Sequence, residues 1–231
     1  MGEWVTAVVP AAGQGVRMGA DKPKQFLHLG NLPLLVYALR VFEAASEVAE
    51  VILVVPQSER AQCEAEVVRA FGLRKVTQIV AGGERRQDSV WKGLQAADPR
   101  ATMVLVHDAV RPLVTKEMVS TVLAAARQHG AAIVAIPLHD TVKRVKPDRI
   151  IERTIPREEL WLAQTPQAFE KSLLVKAHRQ GQQDGVEATD DAFLVERLGR
   201  PVAIVPGSAD NIKITRPEDL AIGEALLRRH E

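Results

Sequence analysis

The fold of this chain is decided near its start by Val5-Thr6-Ala7-Val8-Val9-Pro10-Ala11-Ala12-Gly13-Gln14-Gly15-Val16-Arg17-Met18-Gly19. The run Val5–Val9 predicts a buried strand, because it is rich in β-branched residues and apolar on both faces. The loop that follows contains small residues, which let backbone N–H groups approach an anion closely. Arg17 and Lys24 supply positive charge nearby. The stretch therefore predicts a binding site for a nucleoside triphosphate.

Two common phosphate-binding loops are excluded by the same residues. A dinucleotide-binding loop has the pattern G-x-G-x-x-G, but Met18 stands where the third glycine belongs. The next predicted strand, Val51–Val55, also lacks the acidic residue that would bind a ribose. The Walker A pattern is absent. A flexible connector is the alternative interpretation of the glycines, and the interleaved Arg17 and Lys24 weigh against it.

Apolar runs alternate with helical patterns along the rest of the chain, as in α/β proteins. The predicted strands are Val5–Val9, Val51–Val55, Val76–Val80, Met103–Val106, Ala132–Ile136 and Val202–Val205. The predicted helices are Leu34–Ala45, Glu59–Phe71, Ser89–Ala97, Lys116–Gln128, Lys171–Gln180, Asp190–Leu198 and Pro217–Arg229. Right-handed crossovers between such elements give a doubly wound, mostly parallel sheet that binds ligands beyond the carboxyl ends of its strands. We predict one domain over residues 1–231.

One segment departs from this alternation. Residues Asp140–Ile155 mix β-branched and charged residues around Pro147-Asp148, which predicts a β-hairpin with a turn at that pair. A two-stranded ribbon is marginally stable by itself in water. We therefore expect it to pack either on its own domain or against a second subunit.

The overall composition excludes several classes of partner and location. The 30 basic residues nearly balance the 29 acidic ones, so no global field favours nucleic acid or an anionic membrane. No apolar run approaches the length of about 20 residues that a membrane-spanning helix needs. The single Cys63 allows no internal disulfide and fits the reducing cytoplasm, where we expect the protein to act.

Further candidate residues follow other predicted strands. Gly82-Gly83 turns the chain after the third strand and leaves room for a flat base, while Asp88 or Ser89 can simply cap the next helix. Asp108 ends the fourth strand and is a candidate Mg²⁺ ligand together with substrate phosphates. Arg111 is a candidate phosphate ligand, although a local ion pair with Asp108 is equally consistent with the spacing.

Lys213 lies between two apolar residues near the end of the chain, so it points either into a cleft or into solvent. The chain has no G-x-S-x-G elbow, no H-E-x-x-H and no paired Cys/His spacing. Several cations with one carboxylate suit phosphoryl or nucleotidyl transfer, where catalysis consists of positioning and charge neutralisation.

Taken together, these motifs resemble the 2-C-methyl-D-erythritol 4-phosphate cytidylyltransferases, a family of the sugar-nucleotide-type nucleotidyltransferases. The resemblance extends from Val5 to the last helix, with Glu84–Gln87 as a variable stretch. The motifs that carry it are Arg17 with Pro23-Lys24-Gln25, Gly82-Gly83 with Asp88-Ser89-Val90, His107-Asp108-Ala109-Val110-Arg111-Pro112, Asp140-Thr141-Val142-Lys143, Thr165-Pro166-Gln167 and Asp210–Asp219.

The resemblance implies a Rossmann-like nucleotidyltransferase fold whose hairpin, residues 138–157, protrudes as a dimerisation arm. It implies that CTP and a polyol phosphate react, with Mg²⁺, to a cytidine diphosphate alcohol and pyrophosphate. Arg17 and Lys24 match residues that stabilise the transition state, and Arg157 and Lys213 match those that hold the acceptor phosphate. The implied substrate-binding residues are Ala11, Ala12, Gly13, Gly15, Gly82, Gly83, Asp88 and Ser89 for the nucleotide and Asp108, Arg111, Thr141, Thr165 and Thr189 for the rest of the site, with Asp108 also at the metal.

Two alternatives stay open at this point. A sibling enzyme that uses ribitol 5-phosphate with CTP would need the same cations around its acceptor. A catalytically silent nucleotide-binding module would keep the loops, but it would need no transition-state cations such as Arg17 and Lys24.

Overall fold

The computed structural model describes residues 3–13 and 26–230. The strands are β1 Val5–Pro10, β2 His28–Leu29, β3 Leu32–Pro33, β4 Val48–Val55, β5 Val76–Ala81, β6 Met103–Val106, β7 Ala131–Pro137, β8 Val142–Val145, β9 Ile151–Ile155, β10 Trp161–Glu170 and β11 Ala203–Pro206. The helices are α1 Leu34–Ala44, α2 Arg60–Cys63, α3 Arg86–Ala96, α4 Lys116–His129, α5 Lys171–Gln183, α6 Asp191–Arg197 and α7 Pro217–His230.

A seven-stranded sheet forms the centre of the fold, with the strand order β11-β7-β10-β6-β1-β4-β5. Every pairing in it is parallel except those of β10, which runs antiparallel to both β6 and β7. The predicted α/β fold with a mostly parallel sheet is therefore confirmed. The prediction missed β10, which lies between two of the predicted strands.

Helices cover both faces of this sheet, as a doubly wound topology requires. On one face, α1 and α4 pack their apolar side chains on alternate residues of the strands, with Phe42 and Leu123 fully buried. On the other face, α3, α5 and α6 bury Leu94, Leu174 and Leu194. Helix α3 lies so close to the sheet that a Cβ added at Gly93 would stand 2.4 Å from Val8 Cγ1.

Two local elements differ from the predicted ones. The predicted regular helix over Glu59–Phe71 consists of a 3₁₀ turn at Gln57–Glu59, then α2, then a π-helical turn over Glu64–Arg69. The small hairpin β2–β3 was not predicted, and its Leu29 packs with Ile214, just before α7. This contact fixes the C-terminal segment that carries Lys213.

The predicted hairpin is present as a separate two-stranded sheet of β8 and β9. Its turn spans 146–149, where Arg149 adopts a positive φ of 65° and its N–H donates to the Lys146 carbonyl. Val145, Ile150 and Ile151 are each more than half exposed. In the part of the chain that the structure describes, β8 and β9 pair with each other and not with the central sheet.

Among the described residues, no helix combines the length and the apolar character that crossing a bilayer requires.

A buried carboxylate ties three neighbouring strands together at the end of the sheet opposite to the strand C-termini. Glu50 on β4 accepts hydrogen bonds from the Thr6 hydroxyl on β1 at 2.6 Å and the Thr77 hydroxyl on β5 at 3.0 Å. It also accepts the backbone N–H of Asp98, just after α3, at 2.7 Å. Glu50 thus connects the strand edge to the end of the helix that carries part of the site.

Replacing Glu50 with alanine should lower the free energy of unfolding by about 2–4 kcal/mol, because buried donors lose their acceptor. Urea denaturation of the variant measures this change. Glu66→Ala is the matched control, since Glu66 is exposed and accepts a hydrogen bond from Gln62 on the same helical stretch. Equal unfolding midpoints for the Glu50 and Glu66 variants would contradict the role given to Glu50.

Candidate active site

The carboxyl ends of the parallel strands converge on two adjoining cavities. The first lies between the loops that follow β1 and β5, and Ala11, Ala12, Gly13, Gly83 and Ser89 line it. The second lies against β10 and the start of α6, and Arg111, Thr165 and Thr189 line it. Arg86, Asp108 and Lys213 line both. These three charged side chains therefore mark the boundary between the two cavities.

Asp108 lies at the centre of this boundary, two residues beyond the end of β6. Its Oδ1 accepts a hydrogen bond from Arg86 Nε at 2.8 Å, and its Oδ2 lies 2.8 Å from Lys213 Nζ. Burial by itself raises the pKa of this carboxyl, but the charges and hydrogen bonds of Arg86 and Lys213 outweigh it. The net pKa lies well below the ordinary range, so Asp108 is ionised across the physiological pH range.

The local ion pair between Asp108 and Arg111 does not account for either residue. Arg111 Nε is 4.0 Å from Asp108 Oδ2, beyond hydrogen-bond distance, whereas Arg111 Nη1 donates to the Asn211 carbonyl at 2.6 Å. Arg111 Nε is buried and has no hydrogen-bond partner among the described residues. The guanidinium consequently links two loops and keeps a donor for a further acceptor.

Arg86 connects Asp108 to a second buried carboxylate. Its Nη1 donates to Asp191 Oδ2 at 2.8 Å, and Asp191 Oδ1 lies 2.9 Å from His178 Nε2. Burial by itself raises the pKa of Asp191, but the Arg86 charge and the His178 hydrogen bond outweigh it, so the net pKa lies below the ordinary value. Arg86 Nη2 is buried without a hydrogen-bond partner among the described residues.

A histidine fixes the backbone on the other side of Asp108. His107 is fully buried, and burial lowers its pKa to about 4, so the ring is neutral at pH 7. The Arg111 carbonyl can only accept, so His107 Nε2 carries the proton of that 3.1 Å contact. His107 Nδ1 is then the acceptor for the Thr165 hydroxyl, whose oxygen accepts the Asp108 N–H at 3.1 Å.

The loop that carries Lys213 is held in place by the side-chain amide of Asn211 and by the backbone N–H of Ile214. Asn211 Nδ2 donates to Gln164 Oε1 at 3.2 Å and to the Thr165 carbonyl at 2.9 Å, and Ile214 N–H donates to the Val110 carbonyl. The interpretation of Lys213 as pointing into a cleft agrees with this geometry, although its side chain stays 40% exposed.

The two positions after β5 require glycine, because neighbouring residues lie too close for a side chain there. A Cβ at Gly82 would lie 2.2 Å from the Ala12 Cβ, and one at Gly83 would lie 2.4 Å from the Asp88 Cβ. The Gly83 N–H donates to Ser89 Oγ at 3.1 Å, which fixes the turn over the start of α3. The loops after β1 and β5 therefore lie close together, and the part of the cavity wall formed by Ala11, Ala12, Gly13 and Gly83 consists of backbone and small side chains.

Helix α3 begins at Arg86, three residues before the predicted start, and neither Asp88 nor Ser89 is its N-cap. Asp88 lies in the first turn and accepts the Arg85 N–H and the Arg85 guanidinium. Asp88 and Gly82 do not line either cavity, whereas Gly83 and Ser89 line the first.

Two predicted residues lie on the hairpin rather than at the cavities. Thr141 and Arg157 are exposed, and neither lines a cavity. Arg157 Nη1 donates to the His139 carbonyl at the base of the hairpin. Gly15, Arg17 and Lys24 lie outside the described residues.

Sequence analysis missed Arg86, Asp191 and His178. Arg86 belonged to a stretch interpreted as variable, and Asp191 and His178 lie on helices whose patterns suggested only packing. The available signal was a charged residue on the buried side of a helix, since acidic side chains are rarely fully buried unless paired.

No group of three or more His, Cys, Asp or Glu side chains in residues 3–13 and 26–230 is arranged to hold a metal ion. Asp108 is the carboxylate that borders both cavities. A cation there would need most of its oxygen ligands from a substrate, which is usual for Mg²⁺ in nucleotide sites.

Known proteins match this chain over almost its whole length. A 2-C-methyl-D-erythritol 4-phosphate cytidylyltransferase from Pelotomaculum thermopropionicum is 50% identical over 98% of this chain and 95% of its own. The structure of 4-diphosphocytidyl-2C-methyl-D-erythritol synthase from Anaerococcus prevotii superposes with a TM-score of 0.87 at 31% identity, covering 98% of this chain and 97% of the other. The structure of the 2-C-methyl-D-erythritol 4-phosphate cytidylyltransferase from Thermus thermophilus superposes with a TM-score of 0.80 at 38% identity, covering 96% of this chain and 98% of the other.

The sequence profile of the 2-C-methyl-D-erythritol 4-phosphate cytidylyltransferase (IspD) family matches residues 5–229. With half of its residues shared with a relative of nearly equal length, the chain belongs to that family.

Proposed function

We propose that this protein transfers the cytidylyl group of CTP to 2-C-methyl-D-erythritol 4-phosphate, giving 4-diphosphocytidyl-2-C-methyl-D-erythritol and pyrophosphate in the non-mevalonate isoprenoid pathway. The family match over residues 5–229 carries this proposal. The charges that line the two cavities support it, because four cations exceed three carboxylates where two phosphate-bearing substrates would meet. The cations are Arg85, Arg86, Arg111 and Lys213, and the carboxylates are Glu84, Asp108 and Asp190.

The first cavity suits the nucleotide. Its wall of Ala11, Ala12, Gly13 and Gly83 offers backbone groups and no bulky side chain, which fits a flat base and a triphosphate. An acceptor phosphate oxygen attacks the α-phosphorus of CTP as the bond to the leaving pyrophosphate breaks. No covalent enzyme intermediate is needed.

The second cavity suits the acceptor. Lys213 and Arg111 line this cavity and would bind the acceptor phosphate, while Thr165, Thr189 and the Asp108 carboxylate would contact its hydroxyl groups. Because Lys213 pairs with Asp108 at 2.8 Å, an incoming phosphate would compete with Asp108 for the ammonium group. Asp108 would then gain a free oxygen when the acceptor binds.

We also propose Mg²⁺ as the cofactor. Asp108 would be its protein ligand, since it is ionised and borders both cavities, with substrate phosphates completing the shell. The cation would neutralise charge on the triphosphate.

We infer a cytoplasmic location from the free thiol of Cys63. It is buried, and burial raises its pKa to about 12, so it is inert and needs no partner.

Purified protein with CTP and Mg²⁺ should release pyrophosphate with 2-C-methyl-D-erythritol 4-phosphate and only slowly with ribitol 5-phosphate. The physical reason is that charged contacts are common to both acceptors, so selectivity depends on how the cavity fits the branched carbon chain. A coupled pyrophosphate assay with each acceptor measures this preference. Turnover with ribitol 5-phosphate alone would refute the proposed acceptor.

Lys24→Ala should lower kcat by about 10²- to 10³-fold with a smaller change in CTP affinity, as expected for a contact made mainly in the transition state. Steady-state kinetics and equilibrium CTP binding separate the two effects. Lys176→Ala is the control, because Lys176 is exposed on α5 and lines neither cavity. Unchanged turnover of the Lys24 variant would rule out its role and favour a silent nucleotide-binding module.

We further propose that the protein is a homodimer whose hairpin reaches the neighbouring subunit. The exposed apolar side chains of Val145, Ile150 and Ile151 need cover, and a second copy supplies it. Arg157, at the base of the hairpin, lines neither cavity of its own chain. It would contact the acceptor phosphate in the partner's site.

Subunit mixing tests this assignment. Lys24→Ala and Arg157→Ala should each be inactive, but co-expression should restore up to about a quarter of wild-type activity, because half of the chains pair with the other variant and one site in each mixed dimer is intact. Activity after co-expression no higher than that of the single variants would place Arg157 in its own chain's site or outside catalysis.

A further inference from the structure

A chain of contacts between polar and charged side chains runs from the cavities into the protein interior. Asp108, at the cavity edge, contacts Arg86 at 2.8 Å, and Arg86 contacts Asp191 at 2.8 Å. Asp191 then contacts His178 at 2.9 Å. Only Asp108 and Arg86 border the cavities, whereas Asp191 and His178 lie behind them with side chains at most 1% exposed.

This arrangement uses the fork of an arginine. Nε of Arg86 faces the strand-end carboxylate of Asp108, and Nη1 faces the Asp191 carboxylate at the first turn of α6. Two donors in fixed geometry can hold two carboxylates at once, which a lysine ammonium on a flexible stem cannot do with the same precision of orientation.

Because Asp191 also pairs with Arg86, the guanidinium charge is not balanced by Asp108 alone. Two carboxylates share one guanidinium, so Asp108 keeps more of its negative charge toward Lys213 and the cavity than it would in an isolated Arg86–Asp108 pair. Without the charge of Asp191, Arg86 would be free to swing toward Asp108 and pair with both of its oxygens. Asp108 Oδ2 would then move away from Lys213.

We propose that Arg86 and Asp191 are positioning residues, which hold the Asp108 carboxylate so that Oδ1 is occupied and Oδ2 faces Lys213 and the bound substrates. This inference rests on the proposed cytidylyl transfer, because it assigns the two residues to the same site. Buried ion pairs contribute little net stability compared with apolar residues of similar volume. A network of this kind at the edge of the substrate cavities is therefore explained better by positioning than by stability.

The decisive experiment is a double-mutant cycle between Asp191→Asn and Asp108→Asn, read in kcat/KM for the acceptor, KM for CTP and the Mg²⁺ concentration for half-maximal rate. Asp191→Asn alone should lower kcat/KM for the acceptor about 10- to 100-fold, as removal of a residue that orients a ligand-binding side chain typically does. KM for CTP should change less than about 3-fold, because Asp191 lies on the side of the acceptor cavity. In the Asp108→Asn background, adding Asp191→Asn should lower kcat/KM for the acceptor by less than about a further 3-fold, since the group that Asp191 positions is already altered.

Asp184→Asn is the matched control. Asp184 is also paired with an arginine, Arg197 at 3.1 Å, but that pair is exposed and lies at the C-terminal end of α5. Its substitution should leave all three kinetic readouts unchanged. Thermal unfolding of each variant reports the structural contribution separately.

Arg86→Lys provides a second variant if Asp191→Asn does not fold. It keeps the positive charge between the two carboxylates but loses the fork, so it should show the same selective loss in kcat/KM for the acceptor and the same lack of further effect in the Asp108→Asn background.

The positioning role would be overturned if the double variant lost kcat/KM for the acceptor by the full product of the two single-variant losses. Wild-type kinetics in Asp191→Asn and Arg86→Lys would overturn it as well. Either result would leave the proposed function intact. Wild-type protein that does not transfer cytidylyl groups would overturn the proposed function and the positioning role together.

Discussion

The negative charge of Asp108 is the constraint on which the site depends. A carboxylate buried to this degree is tolerated only with compensating cations, and they come from separate parts of the chain: Arg86 on α3 and Lys213 just before α7. Satisfying one charge therefore fixes the relative positions of the strand end, the loop after β5 and the C-terminal segment. Over all the residues that line the two cavities, cations exceed carboxylates by one, which suits anionic substrates.

The strands and the ligand-binding edge could be predicted because their signals are local. Runs such as Val51–Val55 are continuous, apolar and β-branched, and the carboxyl ends of parallel strands must lie together, so topology predicted that Gly83 and Asp108 lie at one edge. For Lys213 the sequence left open whether the side chain points into the cleft or into solvent. Strand β10 could not be recognised, because Thr165, Pro166 and Gln167 interrupt its apolar pattern. Thr165 and Gln167 line the second cavity, where Gln167 Nε2 donates to Asp190 Oδ2. The register of β10 with β7 is irregular between Ala163 and Gln167.

The network behind Asp108 was invisible for a different reason. Arg86 and Asp191 are separated by more than a hundred residues, and each looks like an ordinary charge at the start of a helix. Their significance is a matter of burial and direction, which appear only once α3 and α6 pack on the same face of the sheet. The start of α3 was mispredicted for a similar reason. Asp88 lies within the first turn and accepts the Arg85 N–H, whereas the sequence suggested that it precedes the helix as its N-cap.

The antiparallel strand β10 has a consequence for the order in which the molecule assembles. Within the described residues, β7 pairs with β10 and β11 and with no other strand. It therefore cannot join the sheet until residues 161–170 have been synthesised, although it precedes them in the chain. The half made of β6, β1, β4 and β5 has no such dependence and can form first as the chain emerges. Lys213 and its Asn211 anchor come later still in the chain, so Asp108 acquires its full set of cations only after residues 211–213 have been synthesised. The nascent chain thus carries an organised sheet well before it carries a competent acceptor site.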